Sequence, residues 1–415
     1  MTNCSGTRHL SFFFAVALLV AGNFSVRAEE ASSSKGYVQN EPLSLSKSSH
    51  AAYQEMDQNS LLAVFPLENL SGNAAPTNEI RRQLLDHLKG RGLHILADEV
   101  LEGFMVRHRV RYTGGLSREI GQTLRGETGV KGVLIGSIEL YQGAYPPKVG
   151  LALRLVSTGE KPIICWMDLA SRGGNDTPGL LGLGLIRDDL VLLEKVIAKT
   201  VKSLDGYLSN SRGKDEKDGS RIPMEGRFRP KKFFRSRFFA ASVAERPPQV
   251  AVLPFFNDSS RRHAGEIVRL HLLGVLVRQG NSLVLDPGEI RVALLKSRTI
   301  MEGGPSLPQG DLLLYMTETD LIFYGSVKEY QEGMGPRGVA EINFSCQILD
   351  PKSKRVIWSS ISYNKGDGGV FFFDVGRVNT VPAMLSQMIE KLITQIFGPS
   401  LKVSVAKSSR DSFAK

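Results

Sequence analysis

Val250-Ala251-Val252-Leu253-Pro254-Phe255-Phe256-Asn257-Asp258-Ser259 decides the reading of this chain. It repeats Leu62-Ala63-Val64-Phe65-Pro66-Leu67-Glu68-Asn69-Leu70-Ser71, which stands 188 residues earlier. Further on, Gly136-Ser137-Ile138 and Tyr141-Gln142 return as Gly325-Ser326-Val327 and Tyr330-Gln331 at an offset of 189. The two tryptophans, Trp166 and Trp358, fall in corresponding strands at an offset of 192. A drift this small over about 100 residues means small loop insertions within a duplicated module.

Each copy shows the same periodicities. A short apolar strand, Leu61–Phe65 or Val250–Leu253, ends at a proline, which cannot donate to a ladder. A helix follows, with Ile80, Leu84, Leu85 and Leu88 on one face; Ile267, Leu270, Leu273 and Leu276 do the same in the second copy. A second short strand is expected at Leu93–Leu96 or Leu283–Leu285. A second helix is expected through Leu116, Ile120 and Leu124, or near Leu312–Thr317. Three meander strands come next. Val149, Leu151, Leu153 and Leu155 alternate with polar neighbours, as do Ile342, Phe344, Cys346 and Ile348, the pattern of a strand with one buried face. An amphipathic helix closes each copy, through Leu193, Val196, Ile197 and Leu204, or Leu385, Met388, Ile389 and Leu392. The expected fold is α/β (α+β): two tandem βαβαβββα modules, each a mixed sheet covered by helices. The βαβ start requires a parallel strand pair and the meander an antiparallel one.

The Val250–Ser259 block, opening such a module, resembles the start of the CsgG/TolB-N-like group of bacterial envelope domains, which includes the curli secretion channel subunit. The resemblance covers about 300 residues in two copies. It implies a non-enzymatic component of a periplasmic or outer-membrane assembly. The chain differs from the curli channel in carrying two modules, in lacking a cysteine after its amino-terminal apolar run, and in showing no alternating strand pair of membrane-spanning length.

The 415 residues carry a formal charge of +10, with 42% hydrophobic and 23% charged residues. That balance excludes a wholly disordered chain, a collagen and a multi-span membrane protein. Arg8, the apolar run Leu10–Gly22 and Val26-Arg27-Ala28 read as a secretory signal peptide over residues 1–28, the run being shorter than the roughly 20 residues a span needs. Residues 29–59 read as a flexible leader. The first module is placed at 60–208, a basic aromatic linker at 209–248, the second module at 249–398 and a flexible tail at 399–415.

Motifs for chemistry are absent. The seven histidines form no His-Glu-x-x-His pattern, and three cysteines make no Cys-x-x-Cys pair. Lys131 is followed by Gly132, which disqualifies Gly126–Gly132 as a phosphate loop. No catalytic residue, metal site or cofactor is expected. Asn69 and Asn257, just past the strand-ending prolines, read as turn residues closing on their own backbone. Cys165 and Cys346 admit two readings, an intermodule disulfide or two buried thiols.

Three features carry functional expectations. The linker holds Arg227, Arg229, Lys231, Lys232, Arg235 and Arg237 interleaved with Phe228, Phe233 and Phe234. This pattern suits an anionic lipid, a lipopolysaccharide surface or another polyanion; the alternative is phenylalanines docked on a neighbouring module. The loops before the last helices are apolar, with Leu181 and Leu183 in the first and Phe371, Phe372 and Phe373 in the second, and suit a protein interface. Duplication itself suits two modules packed as a pseudo-dimer. The expected function is a non-enzymatic periplasmic binding or assembly factor of the bacterial cell envelope. Its expected partners are envelope proteins and, in a homo-oligomer, further copies; export excludes nucleic acid. The alternatives are an oligomeric outer-membrane secretion-complex subunit and a hydrolase with no recognisable motif.

Overall fold

The computed structural model describes residues 56–176, 184–209, 227–236, 247–298, 305–335, 338–368 and 376–398. The first copy runs β1 (Leu62–Val64), β2 (Glu68–Asn69), α1 (Thr77–Gly90), α2 (Asp98–Arg107), α3 (Arg118–Thr128), β3 (Gly132–Gln142), β4 (Lys148–Ser157), β5 (Ile164–Gly173) and α4 (Asp189–Leu208). Then comes β6 (Lys232–Arg235). The second copy runs β7 (Gln249–Val252), β8 (Phe256–Asn257), α5 (Ala264–Gln279), β9 (Leu283–Val284), α6 (Pro287–Lys296), α7 (Leu307–Thr317), β10 (Leu321–Gln331), β11 (Glu341–Asp350), β12 (Arg355–Lys365) and α8 (Val381–Phe397).

The strand pairings follow the sequence periods. β1 lies parallel to β3, and β7 parallel to β10, as each βαβ start demands. β3–β4–β5 and β10–β11–β12 are antiparallel meanders. The first sheet has the order β1-β3-β4-β5, and the second β6-β12-β11-β10-β7-β9. Asn69 and Asn257 make the same turn in both copies. Each side-chain oxygen accepts the backbone N–H and hydroxyl of the serine two residues on, and each amide donates to a carbonyl four residues on.

Two details differ from the expected pattern. Each copy has two helices, not one, between its second strand position and the meander: α2 and α3 in the first, α6 and α7 in the second. The short strand expected at Leu93–Leu96 is a single parallel bridge between Leu62 and Ile95. α2 is short, with Gly103 inside it, and buries only Leu101 and Phe104, which leaves little periodicity to read.

Packing joins the copies into one body. Leu62, Val64, Leu134 and Leu151 face Ile80, Leu84 and Leu88 of α1 and Val196 and Ile197 of α4. The opposite face of the same sheet, including Ala63, Val133, Ala152 and Met167, shares a core with Val250, Val252, Phe323 and the helices α5 and α8 of the second copy. α6 and α7 cover the far face of the second sheet, over Ala251, Leu253, Ile322 and Tyr324. α5 therefore lies between the two sheets, touching β5 on one side and β7, β9 and β10 on the other. The sequence gives α5 one apolar face. In the structure every residue from Ala264 to Leu276 except Glu266 is buried, because Val268, Leu272 and Val275 supply a second. Gly274 permits the approach: a Cβ there would stand 2.5 Å from Leu169 Cδ1 of β5.

Candidate functional site

Among the described residues, three clusters of buried polar side chains lie between the two modules. Arg154 of β4 and Asp286, the residue capping α6, are 1% and 0% exposed at their side chains and pair at 2.8 Å. Asp286 Oδ1 accepts the backbone N–H of Leu116 at 2.6 Å and of Gly288 at 2.8 Å. Arg154 Nη2 donates to the Gly114 carbonyl at 2.6 Å. A buried ion pair repays its desolvation only when its remaining donors and acceptors are also met, and here both partners have additional ones. Gly115 and Gly288 close the contact: a Cβ on Gly115 would sit 2.4 Å from the Gly288 nitrogen.

A second cluster centres on His271 of α5. Its Nδ1 lies 2.8 Å from Ser386 Oγ on α8, and its Nε2 3.1 Å from Glu139 Oε2 on β3. Glu139 stands where the β3–β4 register slips between Ile138 and Leu140. Its side chain follows Val133 and Ile135 onto the face that the second module covers. Arg261 reaches across to the carbonyls of Leu70 and Glu139.

A third cluster lies where α8 begins. Glu332 accepts the Val381 N–H with both oxygens, at 3.1 and 3.2 Å. Burial pushes its carboxyl up to about 7, against the opposing pull of that N–H and of Lys148 and Arg261. Lys148 of β4 crosses the plane to the carbonyls of Gly333 and Asn379, and burial holds its ammonium below the ordinary lysine range.

Ser386, His271 and Glu139 have the order of a hydrolytic triad but not its surroundings. His271 and Glu139 are each 1% exposed at their side chains. Ser386 lies in the middle of α8, where neighbouring N–H groups are committed to the helix and not free to hold an oxyanion. The His271 cluster ties β3 of the first copy to α5 and α8 of the second.

The basic aromatic segment lies elsewhere. Residues 232–235 form β6, which pairs antiparallel with β12 from Ile361↔Lys232 to Trp358↔Arg235 and ends the second sheet. Arg227 anchors its start, donating to the carbonyls of Gly366 and Gly376 and lying 4.4 Å over the buried Phe228 ring. Phe233 stacks on Trp358 with ring centroids 5.4 Å apart yet stays 58% exposed, and Phe234 stays 57% exposed. Arg229, Lys231, Lys232 and Arg235 are exposed beside them. Of the expected basic patch, Arg229, Lys231, Lys232, Phe233, Phe234 and Arg235 are exposed along this strand, while Arg227 is turned to the Gly366 and Gly376 carbonyls.

Arg237 and the expected interface residues Leu181, Leu183, Phe371, Phe372 and Phe373 lie outside the described residues, as do residues 1–55 and the tail from 399. Cys165 and Cys346 are buried thiols, not joined in a disulfide. Among the described residues no helix is long and apolar enough to cross a membrane, and no three His, Cys, Asp or Glu side chains gather as a metal site.

No family model matches the chain, the CsgG/TolB-N-like group included, and no curated protein matches it. Solved structures give slight likenesses. A PelC dodecamer from Paraburkholderia phytofirmans is 14% identical over 40% of this chain and 94% of that one, at a TM-score of 0.29. Lipoprotein GNA1162 from Neisseria meningitidis is 13% identical over 36% and 98%, at 0.26. The LpoB C-terminal domain from Salmonella enterica is 11% identical over 28% and 82%, at 0.22. These neighbours are bacterial envelope proteins. The functional reading rests on the residues themselves.

Proposed function

We propose that this protein is an exported, non-enzymatic binding or assembly factor of the bacterial cell envelope: a rigid two-module body that presents one recognition edge. The observation that carries the reading is β6. A four-residue strand with two half-exposed phenylalanines and flanking cations is held in place by Arg227, Phe228 and Trp358, on a body whose buried titratable groups tie its halves together. Exposed aromatics set among arginines have the composition of interaction sites. The sequence reading of an export signal at residues 1–28 supports a place for that edge in the envelope.

The test is photo-crosslinking in cells through an unnatural residue at Phe234, with fractionation of the products. Discrete crosslinks to envelope proteins or envelope lipids support the reading. Crosslinks to cytoplasmic proteins alone, or none from position 234 or any other exposed position, overturn it.

A further inference from the structure

Left-handed backbone strains an L-residue in a way that glycine escapes, so helices that end in it usually end on glycine. α1, α3 and α5 do so, with Gly92, Gly129 and Gly280. α2 and α6 do not. Arg109 follows α2 at a φ of 53° and Arg298 follows α6 at a φ of 50°. The two arginines stand in repeat register, and the turn is the same in both: Arg109 N–H donates to the Val106 carbonyl, Arg298 N–H to that of Leu295. Strain of this kind gathers where a side chain has work at that position. The other charged residues at positive φ, among those described, have partners: Glu318 pairs with Lys161 at 2.6 Å and Lys354 with Asp311 at 2.7 Å. Among the described residues the side chains of Arg109 and Arg298 make no hydrogen bond or ion pair.

Arg109 lines an open groove of about 490 Å³ beside α2. Pro66, Met105 and Val110 give the groove apolar walls, and Val106 lines it while remaining 78% exposed. Arg111 adds a second cation, against the single carboxylate of Glu102. The neighbouring Arg107 and His108 are already engaged with Glu127.

We propose that this groove binds a short segment of a partner protein that carries a carboxylate beside a large apolar side chain. The proposal goes beyond the reading above and does not depend on β6. The carboxylate meets the guanidinium of Arg109, whose planar fork suits it better than an ammonium would. The apolar side chain lies against Pro66, Met105 and Val110. Arginine beside apolar contacts is the composition of an interface hot spot, and the groove is more open than the enclosed pockets that small ligands fill. Glu99 and Glu102 are exposed on the same helix and repel anionic headgroups, which speaks against a membrane surface. The second module repeats the pairing of a left-handed arginine with an exposed apolar residue, Leu295 at 58%. Residues 299–304, which follow Arg298, lie outside the described residues, so the site is assigned to the first module.

The experiment uses the full chain and a dye-labelled peptide with a Ser-Asp-Phe-Asp-Ser core, read by fluorescence anisotropy. Matched peptides carry Asn-Phe-Asn or Asp-Ser-Asp in its place. The Asp-Phe-Asp peptide should bind saturably, and at least tenfold more tightly than either control. Arg109→Gly should weaken that binding at least tenfold and raise the unfolding midpoint in urea, because it removes the charge and the strain together. Val106→Ser, at an exposed position, should weaken binding several-fold and leave the midpoint unchanged. Absence of saturable binding overturns the proposal, as does full binding by Arg109→Gly or Val106→Ser. Equal binding of the Asp-Ser-Asp peptide overturns it in favour of charge attraction alone. A midpoint that stays or falls in Arg109→Gly assigns the arginine to the fold and overturns it too. If the peptides fail while phosphatidylglycerol vesicles sediment the parent but not Arg109→Gly, the occupant is a lipid and the proposal falls.

Discussion

Asp286→Asn is the sharpest perturbation of the seam. It leaves an oxygen to cap α6 and accept the Leu116 and Gly288 N–H groups, and it replaces the charged oxygen that accepts from Arg154 Nε with an amide NH2 that cannot accept. Arg154 is 1% exposed at its side chain and keeps the Gly114 carbonyl as its remaining partner. Leaving one member of a buried ion pair uncompensated costs about 3–5 kcal/mol. Adding Arg154→Met removes the stranded charge and fills its volume with an apolar chain. The double variant should recover most of the loss, since apolar replacement of a buried pair is often neutral or stabilising.

Urea unfolding followed by far-UV circular dichroism measures this directly. With a slope of roughly 3 kcal/mol/M, a loss of about 4 kcal/mol lowers the midpoint by ~1.3 M. Both modules should still unfold in one transition, because the core that holds Ala63 and Met167 also holds Val250 and Phe323. Two outcomes refute the reasoning. One is Asp286→Asn within about 1 kcal/mol of the parent. The other is a double variant no more stable than the single one, which would mean that the Arg154 charge was never the source of the loss.

Other tests follow from the same geometry. Glu332 keeps its proton up to about 7 in the folded chain against an ordinary 4.5, so the folded state binds more protons across that window. Stability should therefore fall as pH rises from 4.5 to 7, by about 3 kcal/mol in all, and Glu332→Gln should flatten that part of the curve; coincident curves for the two proteins would contradict it. Gly115→Ala drives a methyl into the Gly288 backbone, which cannot swing aside as a side chain could. It should cost about 1–3 kcal/mol in the same urea assay. The Cys346 thiol is 1% exposed and pushed up to about 12 by burial. Mass spectrometry after treatment with a thiol reagent at pH 8 should find it unmodified in the folded protein and modified at once in urea.

The fold was legible wherever one period dominated a segment. β11 alternates cleanly, the last helices carry full apolar stripes, and the repeated Val250–Ser259 block supplied the register between the copies. α6 carried a readable start in Asp286 and Pro287, a capping residue followed by proline at the first helical position. The seam was not legible, for a physical reason. Glu139, Lys148 and Arg154 occupy positions that a single module turns toward water. They become interior only because a second module covers that face, and periodicity within one copy says nothing about what covers its other side. One signal was available. Beside the Ile267, Leu270 and Leu273 face, α5 carries a second apolar row in Val268, Leu272 and Val275, and a helix apolar on two sides must be packed on both. The basic linker was legible in composition, but its edge-strand form depends on Trp358 and Ile361, more than 120 residues away in the chain.

The repeat also explains how the pair ends. If the modules stacked by a rule that any copy could extend, the second sheet would present the same interior face as the first. It does not. Ala152, Arg154, Met167 and Leu169 of the first sheet pack against the second module, and the repeat register puts Ser345, Gln347, Ser359 and Ile361 in their places. The serines and the glutamine are half-buried and Ile361 is exposed. At the other end, α4 shows Glu194, Lys195, Lys199 and Lys202 outward where its counterpart α8 is covered by the first sheet. Polar outer faces on terminal units are how stacked repeats stop growing. The contact that could have built a head-to-tail array is used once, inside the chain.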